Sequence, residues 1–192
     1  MEIKQVKEIL GNLFSLLYDI VNPVIQDLKL DKNAKILDVG TGEGHMAISL
    51  ALNNYEVITG EPENDNSKYA KKDWIEHAKK ICIDHLITFK AFDAEKMPFD
   101  DNSFDAVFVL GALHHIDDKF SAFKEFYRIT KLNGVICIFE PTSNGIKLIK
   151  KGDPSHPDAV DPRIYANNYD LSLMVKNNPV FNAFAFNKRS LI

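Results

Sequence analysis

The chain has 192 residues, 45% of them hydrophobic and 26% charged, with 23 basic and 27 acidic side chains and a formal net charge of −4. That length suits one compact domain, and the composition excludes wholesale disorder. The mild acidity argues against a domain that grips nucleic acid through its bulk charge; Lys147, Lys150 and Lys151 read as a solvated face. Two cysteines, Cys82 and Cys137, are too few to staple a fold of this size and fit a reducing, cytoplasmic setting. The first two dozen residues mix charges into an apolar pattern and lack a small-residue cleavage site, so they do not read as a secretory signal. The longest uncharged apolar runs, such as 106–113, fall far short of the ~20 residues of a membrane span.

In chain order, apolar residues from Ile3 to Val21 recur at three- and four-residue spacing. That pattern predicts an amphipathic helix, stopped or bent near Asn22-Pro23, with a second short helical piece through Leu28. Residues 34–39 (AKILDV) predict a buried strand, followed by a glycine turn and a helix over 45–52. A strand at 55–59, a helix at 67–81 with Trp74 and Ile75 on its apolar side, and a strand at 85–92 come next. Residues 104–110 (FDAVFVL) predict a strand buried on both faces, followed by a helix at about 120–132 that Asn133-Gly134 breaks. Residues 135–139 (VICIF) predict a fifth strand. Residues 152–168 are rich in Pro, Asp and Asn and predict a lid or a mobile surface loop. The tail predicts two strands joined by a turn at KNNP, with Phe181, Phe184 and Phe186 as sheet packing. Five apolar runs alternating with helices argue for a parallel sheet covered on both faces, and the final pair adds antiparallel strands.

The segment ILDVGTGEG at 36–44 carries the most chemical information. Its three glycines let the chain turn sharply and let backbone approach a ligand, while the next helix aims its free N–H groups and positive dipole end at the same space. The spacing is not that of a dinucleotide site: counted from Gly40, the sixth position is His45, and the third glycine falls at Gly44. No phosphate-loop motif exists in the chain. Glu61, 21 residues beyond Gly40, stands at the end of strand two, where a carboxylate can accept from both hydroxyls of a ribose; the plain alternative is a surface loop acid beside Glu63 and Asp65. Asp93 follows strand three, where it could accept from an adenine amine while the Ala94 N–H donates to a ring nitrogen and Met97 covers a ring face. It could equally cap a turn.

Taken together, ILDVGTGEG at 36–44, Glu61, FDAEKMPF at 92–99, FDAVFVLGALHHIDD at 104–118 and KLNGVICIFEP at 131–141 resemble the class I S-adenosylmethionine-dependent methyltransferases, most closely the type 11, ubiquinone/menaquinone-biosynthesis-like branch. The resemblance covers roughly residues 34–141 and implies a three-layer αβα sandwich around a Rossmann-like, mostly parallel seven-stranded sheet with an antiparallel C-terminal strand. It implies a single domain over 1–192, with N-terminal helices at 1–33, a cofactor-binding core at 34–141, and a loop and strand pair at 142–192. It further implies that Asp38, Gly40, Thr41 and Gly42 hold the methionine part of S-adenosylmethionine, Glu61 its ribose, and Asp93 with Ala94 its adenine. Leu110 and Gly111 would serve the methionine amine and border the methyl, and Tyr18 would close the pocket. S-adenosylhomocysteine would be the product and a small molecule the acceptor.

The sequence departs from the family pattern at Glu61-Pro62, where the family more often has Asp followed by an apolar residue. His114 and His115 are candidate bases, although adjacent side chains do not share one face of a regular element. Neither these histidines nor Asp117 and Asp118 have metal-ligand spacing, so no metal is expected, and His156 reads as an exposed loop residue, with a role in a lid as the alternative. Two other functions stay open on the sequence: an NAD(P)-dependent oxidoreductase, and a non-catalytic module that binds S-adenosylmethionine.

Overall fold

The computed structural model describes residues 1–65, 67–70 and 73–189. Seven strands form one sheet: β1 (Ile36–Val39), β2 (Val57–Gly60), β3 (Ile87–Phe89), β4 (Phe104–Leu110), β5 (Thr130–Pro141), β6 (Leu171–Lys176) and β7 (Phe181–Lys188). Their order is β3-β2-β1-β4-β5-β7-β6. The first five are parallel, and β7 runs antiparallel to both β5 and β6. Among the described residues the α-helices are α1 (Ile3–Asp27), α2 (His45–Leu52), α3 (Trp74–Lys80), α4 (Lys119–Ile129), α5 (Ser143–Gly152) and α6 (Arg163–Ala166).

Both faces of the central strands are buried, which is why β1 and β4 read as unbroken apolar runs. On one face Phe14, Val21 and Ile25 of α1, Ala47 and Leu50 of α2, and Trp74 of α3 pack with Ile36, Phe108 and Cys137. On the other, Phe123, Phe126 and Ile129 of α4 pack with Leu37, Val107, Ile136 and Phe186. The architecture is the expected three-layer Rossmann-like sandwich, with the strand order reversing between β1 and β4. Open α/β sheets bind ligands outside the C-terminal strand ends at such a switch point.

Local differences from the sequence expectation have identifiable causes. α1 runs through Pro23 and breaks instead at Gly11, whose φ of 86° and ψ of −177° suit glycine alone. The Ser15 hydroxyl donates to the Gly11 carbonyl at 2.9 Å and supplies a partner to backbone left free at the break. α1 is the one described helix long and apolar enough to cross a membrane, although charges interrupt its apolar run; seven of its residues are packed in the core. α3 is shorter than predicted, beginning at Trp74 after turns at 67–70; residues 71 and 72 of the expected helix lie outside those described. Trp74 is buried, whereas Ile75 is 40% exposed.

A 3-10 turn, Asp84–Leu86, takes the start of the expected third strand. Irregular pairing then carries the chain past β3, with the Lys90 amide donating to the Thr59 carbonyl (2.9 Å) and the Phe92 amide to that of Glu61 (3.2 Å). Helix α4 stops at Ile129, and residues 130–134 already belong to β5. The register shift between Phe104 and Ala106 absorbs the extra residues, with Asn133 at φ 64°. Asn133-Gly134 therefore kinks a strand rather than breaking a helix. α5 had no counterpart among the predicted elements.

Candidate functional site

The turn after β1 is set by glycine geometry. Gly40, Gly42 and Gly44 take φ values of 86°, 50° and 76°, all in the left-handed region. At Gly40 a side chain is excluded twice, by that φ and because a Cβ would stand 2.6 Å from the Ala112 Cβ. The Gly40 amide donates to the Gly60 carbonyl at 2.8 Å, which ties the turn to the end of β2. The Gly42 amide donates to Glu61 Oε2 at 3.0 Å. Helix α2 begins directly behind, with Gly44 as its N-cap.

Between this turn and the ends of β2 and β4 lies a cavity of about 590 Å³. Gly40, Gly42, Glu61, Asp93, Ala94, Leu110 and Gly111 all line it, together with Phe92, Tyr69, His115 and His156. Two candidates do not. Asp38 and Thr41 are buried behind the turn, where the Thr41 hydroxyl donates to Thr59 Oγ1 (2.9 Å) and the Thr59 hydroxyl donates to Asp38 Oδ2 (2.8 Å). This chain braces the glycine turn from within the sheet. Asp38 Oδ1 forms no well-made hydrogen bond, and burial, reinforced by the Glu61 charge and only partly offset by the Thr59 hydrogen bond, pushes the carboxyl up to about 7.

The Asp93 carboxylate accepts from the Glu95 amide at 2.8 Å, so it makes the turn and faces the cavity at once. Met97 is in the core rather than on the cavity wall, and its backbone amide donates to Glu125 Oε2 at 2.8 Å. Tyr18 also stands away from the cavity, packed against Phe14 with ring centroids 5.6 Å apart and with Lys7 Nζ over its ring.

The charge of the lining is one-sided. Glu61, Asp65, Asp93, Glu95 and Asp117 contribute five carboxylates, and no lysine or arginine lines the cavity among the described residues. Such a rim attracts a cationic ligand and repels a pyrophosphate.

At the β4 end, the chain enters a 3-10 turn, Leu113–His115, and this turn overturns the expectation that neighbouring histidines diverge. The His114 and His115 rings lie 4.3 Å apart. His156 joins them, 5.0 Å from His114 and 4.9 Å from His115, and is buried rather than exposed. The segment 153–160 holds it there. Asp153 pairs with Lys68 Nζ (2.5 Å) and with the Tyr69 hydroxyl, and the Val160 amide donates to Glu140 Oε2 (3.2 Å). Nothing in the local sequence around His156 signals this contact; only the fold brings it to the end of β4. Burial, with the neighbouring His114 and His156, pushes His115 down to about 4, so its ring is neutral at pH 7 and a weak base.

A sequence profile for the family described as "Methyltransferase domain" matches residues 37–138. A demethylmenaquinone methyltransferase of Staphylococcus epidermidis is 31% identical over 130 residues, which are 67% of this chain and 52% of that protein. The 27-O-demethylrifamycin SV methyltransferase of Amycolatopsis mediterranei is 30% identical over 111 residues, 58% of this chain and 40% of that protein. The chain thus spans about half or less of the length of these relatives. A crystal structure from Methanococcus maripaludis, assigned as an S-adenosyl-L-methionine-dependent methyltransferase, superposes with a TM-score of 0.71 at 19% identity, covering 98% of this chain and 93% of that one, a likeness of fold. With more than half of its residues inside the matched profile, the chain belongs to the methyltransferase domain family.

Proposed function

We propose that the crevice binds S-adenosylmethionine and that the protein passes its methyl group to a small-molecule acceptor. The observation that carries this reading is a left-handed glycine turn at the switch point facing a rim of five carboxylates with no cation among the described residues. That cradle fits a ligand with an ammonium and a sulfonium and opposes the pyrophosphate of a dinucleotide, which sets the oxidoreductase reading aside.

In this reading Gly40 and Gly42 let backbone approach the methionine part, Glu61 accepts from the ribose hydroxyls, and Asp93 with the Ala94 amide holds the adenine. Leu110 and Gly111 border the methyl end. Asp38 and Thr41 act through the turn that they brace rather than by touching the ligand. When bound, the cofactor supplies a methyl group already activated on a sulfonium. The protein then has to align the acceptor at ~3 Å and keep water out. Segment 153–160 closes the crevice on the histidine side. The names of the two relatives, which act on a menaquinone precursor and a rifamycin, favour a small organic acceptor. We read residues 1–192 as one methyltransferase domain, with the core at 34–141, working in the reducing cytoplasm, where the free Cys82 and Cys137 stay thiols.

Incubating the protein with methyl-labelled donor and a small-metabolite fraction should move label into small molecules and release S-adenosylhomocysteine. Glu61→Ala should weaken donor binding about 10- to 150-fold, corresponding to loss of ~1.5–3 kcal/mol from hydrogen bonds to a charged partner. A binding-only module would instead retain the donor and release no product across the fraction, and that result would overturn the catalytic reading.

A further inference from the structure

We propose that His114, His115 and His156 form a three-histidine binding site for a zinc-type divalent ion at the methyl end of the crevice. One ring nitrogen of each histidine lies within 4.8 Å of those of the other two. A tetrahedral zinc with bonds of about 2.0–2.1 Å would draw such nitrogens to about 3.3 Å, so the cluster is slightly open and closes by small ring movements.

The surroundings are those of a metal site rather than of packed aromatic rings. His114 Nδ1 is held by Glu140 at 2.8 and 3.1 Å, which orients the ring and leaves Nε2 as the nitrogen for a ligand. That Nε2 is buried and has no hydrogen-bond partner, although its side chain is only 1% exposed. His156 Nδ1 meets the Pro157 carbonyl at 2.8 Å, which again leaves Nε2. A metal-binding histidine characteristically gives its second nitrogen to a carboxylate or a backbone carbonyl, and here one ring has each kind of partner. Glu140 is held in turn by the Val160 amide, so the loop that delivers His156 and the carboxylate behind His114 are one assembly.

Three imidazoles leave a fourth coordination position, the arrangement of a catalytic rather than a structural zinc. His115 and His156 both line the crevice, so that position faces it. Resting on the methyl-transfer reading, this site selects an acceptor with a hydroxyl or thiol group. Bound to the ion, the acceptor releases its proton to solvent. Its oxygen or sulfur lone pair then forms the bond to the methyl carbon as the carbon–sulfonium bond breaks, and that electron pair stays on the sulfur of the neutral thioether.

The test uses the untagged 192-residue chain, stripped with chelator and titrated with Zn²⁺ and Co²⁺, with S-adenosylhomocysteine binding measured on the same preparations. The site predicts one tight equivalent of Zn²⁺ per chain and the intense visible bands of tetrahedral Co²⁺. His115→Ala and His156→Ala should each weaken Zn²⁺ binding at least 10-fold, and Glu140→Gln about 10- to 100-fold. Circular dichroism identifies any variant that fails to fold, and His115→Ala, at the exposed member, keeps the test open if the buried variants do. Absence of stoichiometric binding, or binding unchanged in the folded His115→Ala variant, overturns the site. S-adenosylhomocysteine binding without zinc binding overturns the metal site alone. Histidine-dependent zinc binding without S-adenosylhomocysteine binding supports the metal site and removes the methyl-transfer reading and the acceptor role built on it.

Discussion

Asp38 shows how a residue can matter to a site without touching it. Its carboxyl is buried against the sheet, accepts from Thr59, and sits at about 7 instead of its ordinary 3.8, chiefly because burial penalises the charge. The native state therefore binds this proton more tightly than the unfolded chain does. The Asp38 contribution to the stability of the ligand-free protein should fall as pH rises from about 4 to about 7 and then level off, against the opposite slope that His115, pushed down to about 4, gives below its ordinary 6.5. Asp38→Asn keeps an acceptor for Thr59 and removes the titration, so its stability advantage over the unaltered protein should grow between pH 4 and 7, reaching ~1–4 kcal/mol at pH 7. Urea denaturation at a series of pH values measures both, and parallel curves for the two proteins would contradict the account. The same residue marks a limit of sequence reading. The acid and the glycines were legible as a ligand-facing motif, but that Asp38 and Thr41 stand behind the turn depends on Thr59, which a linear motif does not include.

The elements were legible where periodicity spoke plainly. Helix α2 and strand β4 have the boundaries that their apolar patterns predict, because each is surrounded by core and nothing competes with the pattern. The expectations diverged where a special backbone conformation or a distant partner decided the outcome. Pro23 is tolerated in α1, and the break goes to Gly11 because only that residue reaches φ 86° with ψ −177° without strain. A Cβ at Gly11 would meet nothing within 4 Å, so the effect of Gly11→Ala is purely one of backbone. It should cost ~1–3 kcal/mol in urea unfolding. An unchanged midpoint would mean that the break is not held in solution. At the other end, the Asn133-Gly134 pair looks like a helix stop, yet the pairing of Thr130 with Phe104 starts β5 earlier and turns the pair into a bulge. Segment 153–160 belongs to the stretch that read as a lid or a mobile surface loop; its bonds to Lys68, Tyr69 and Glu140 are all to residues at least 20 positions away, beyond the reach of local pattern.

For the molecule as a whole, the arrangement of strands makes the function legible. Placing β1 beside both β2 and β4 brings the glycine turn, Glu61, Asp93 and Gly111 to one sheet end from positions some 70 residues apart along the chain. The resemblance of the motifs supplied that grouping, and the fold supplies its physical cause. The one-sided charge of the crevice had no linear signature, since its five acids come from three loops that the fold brings together, those after β2, β3 and β4. That charge is the core of the functional account, and calorimetry addresses it most directly. Titrating the protein with S-adenosylhomocysteine, and separately with NADH, should give one-to-one binding of the first and no heat with the second. Binding of NADH in the crevice, with none of S-adenosylhomocysteine, would contradict the account.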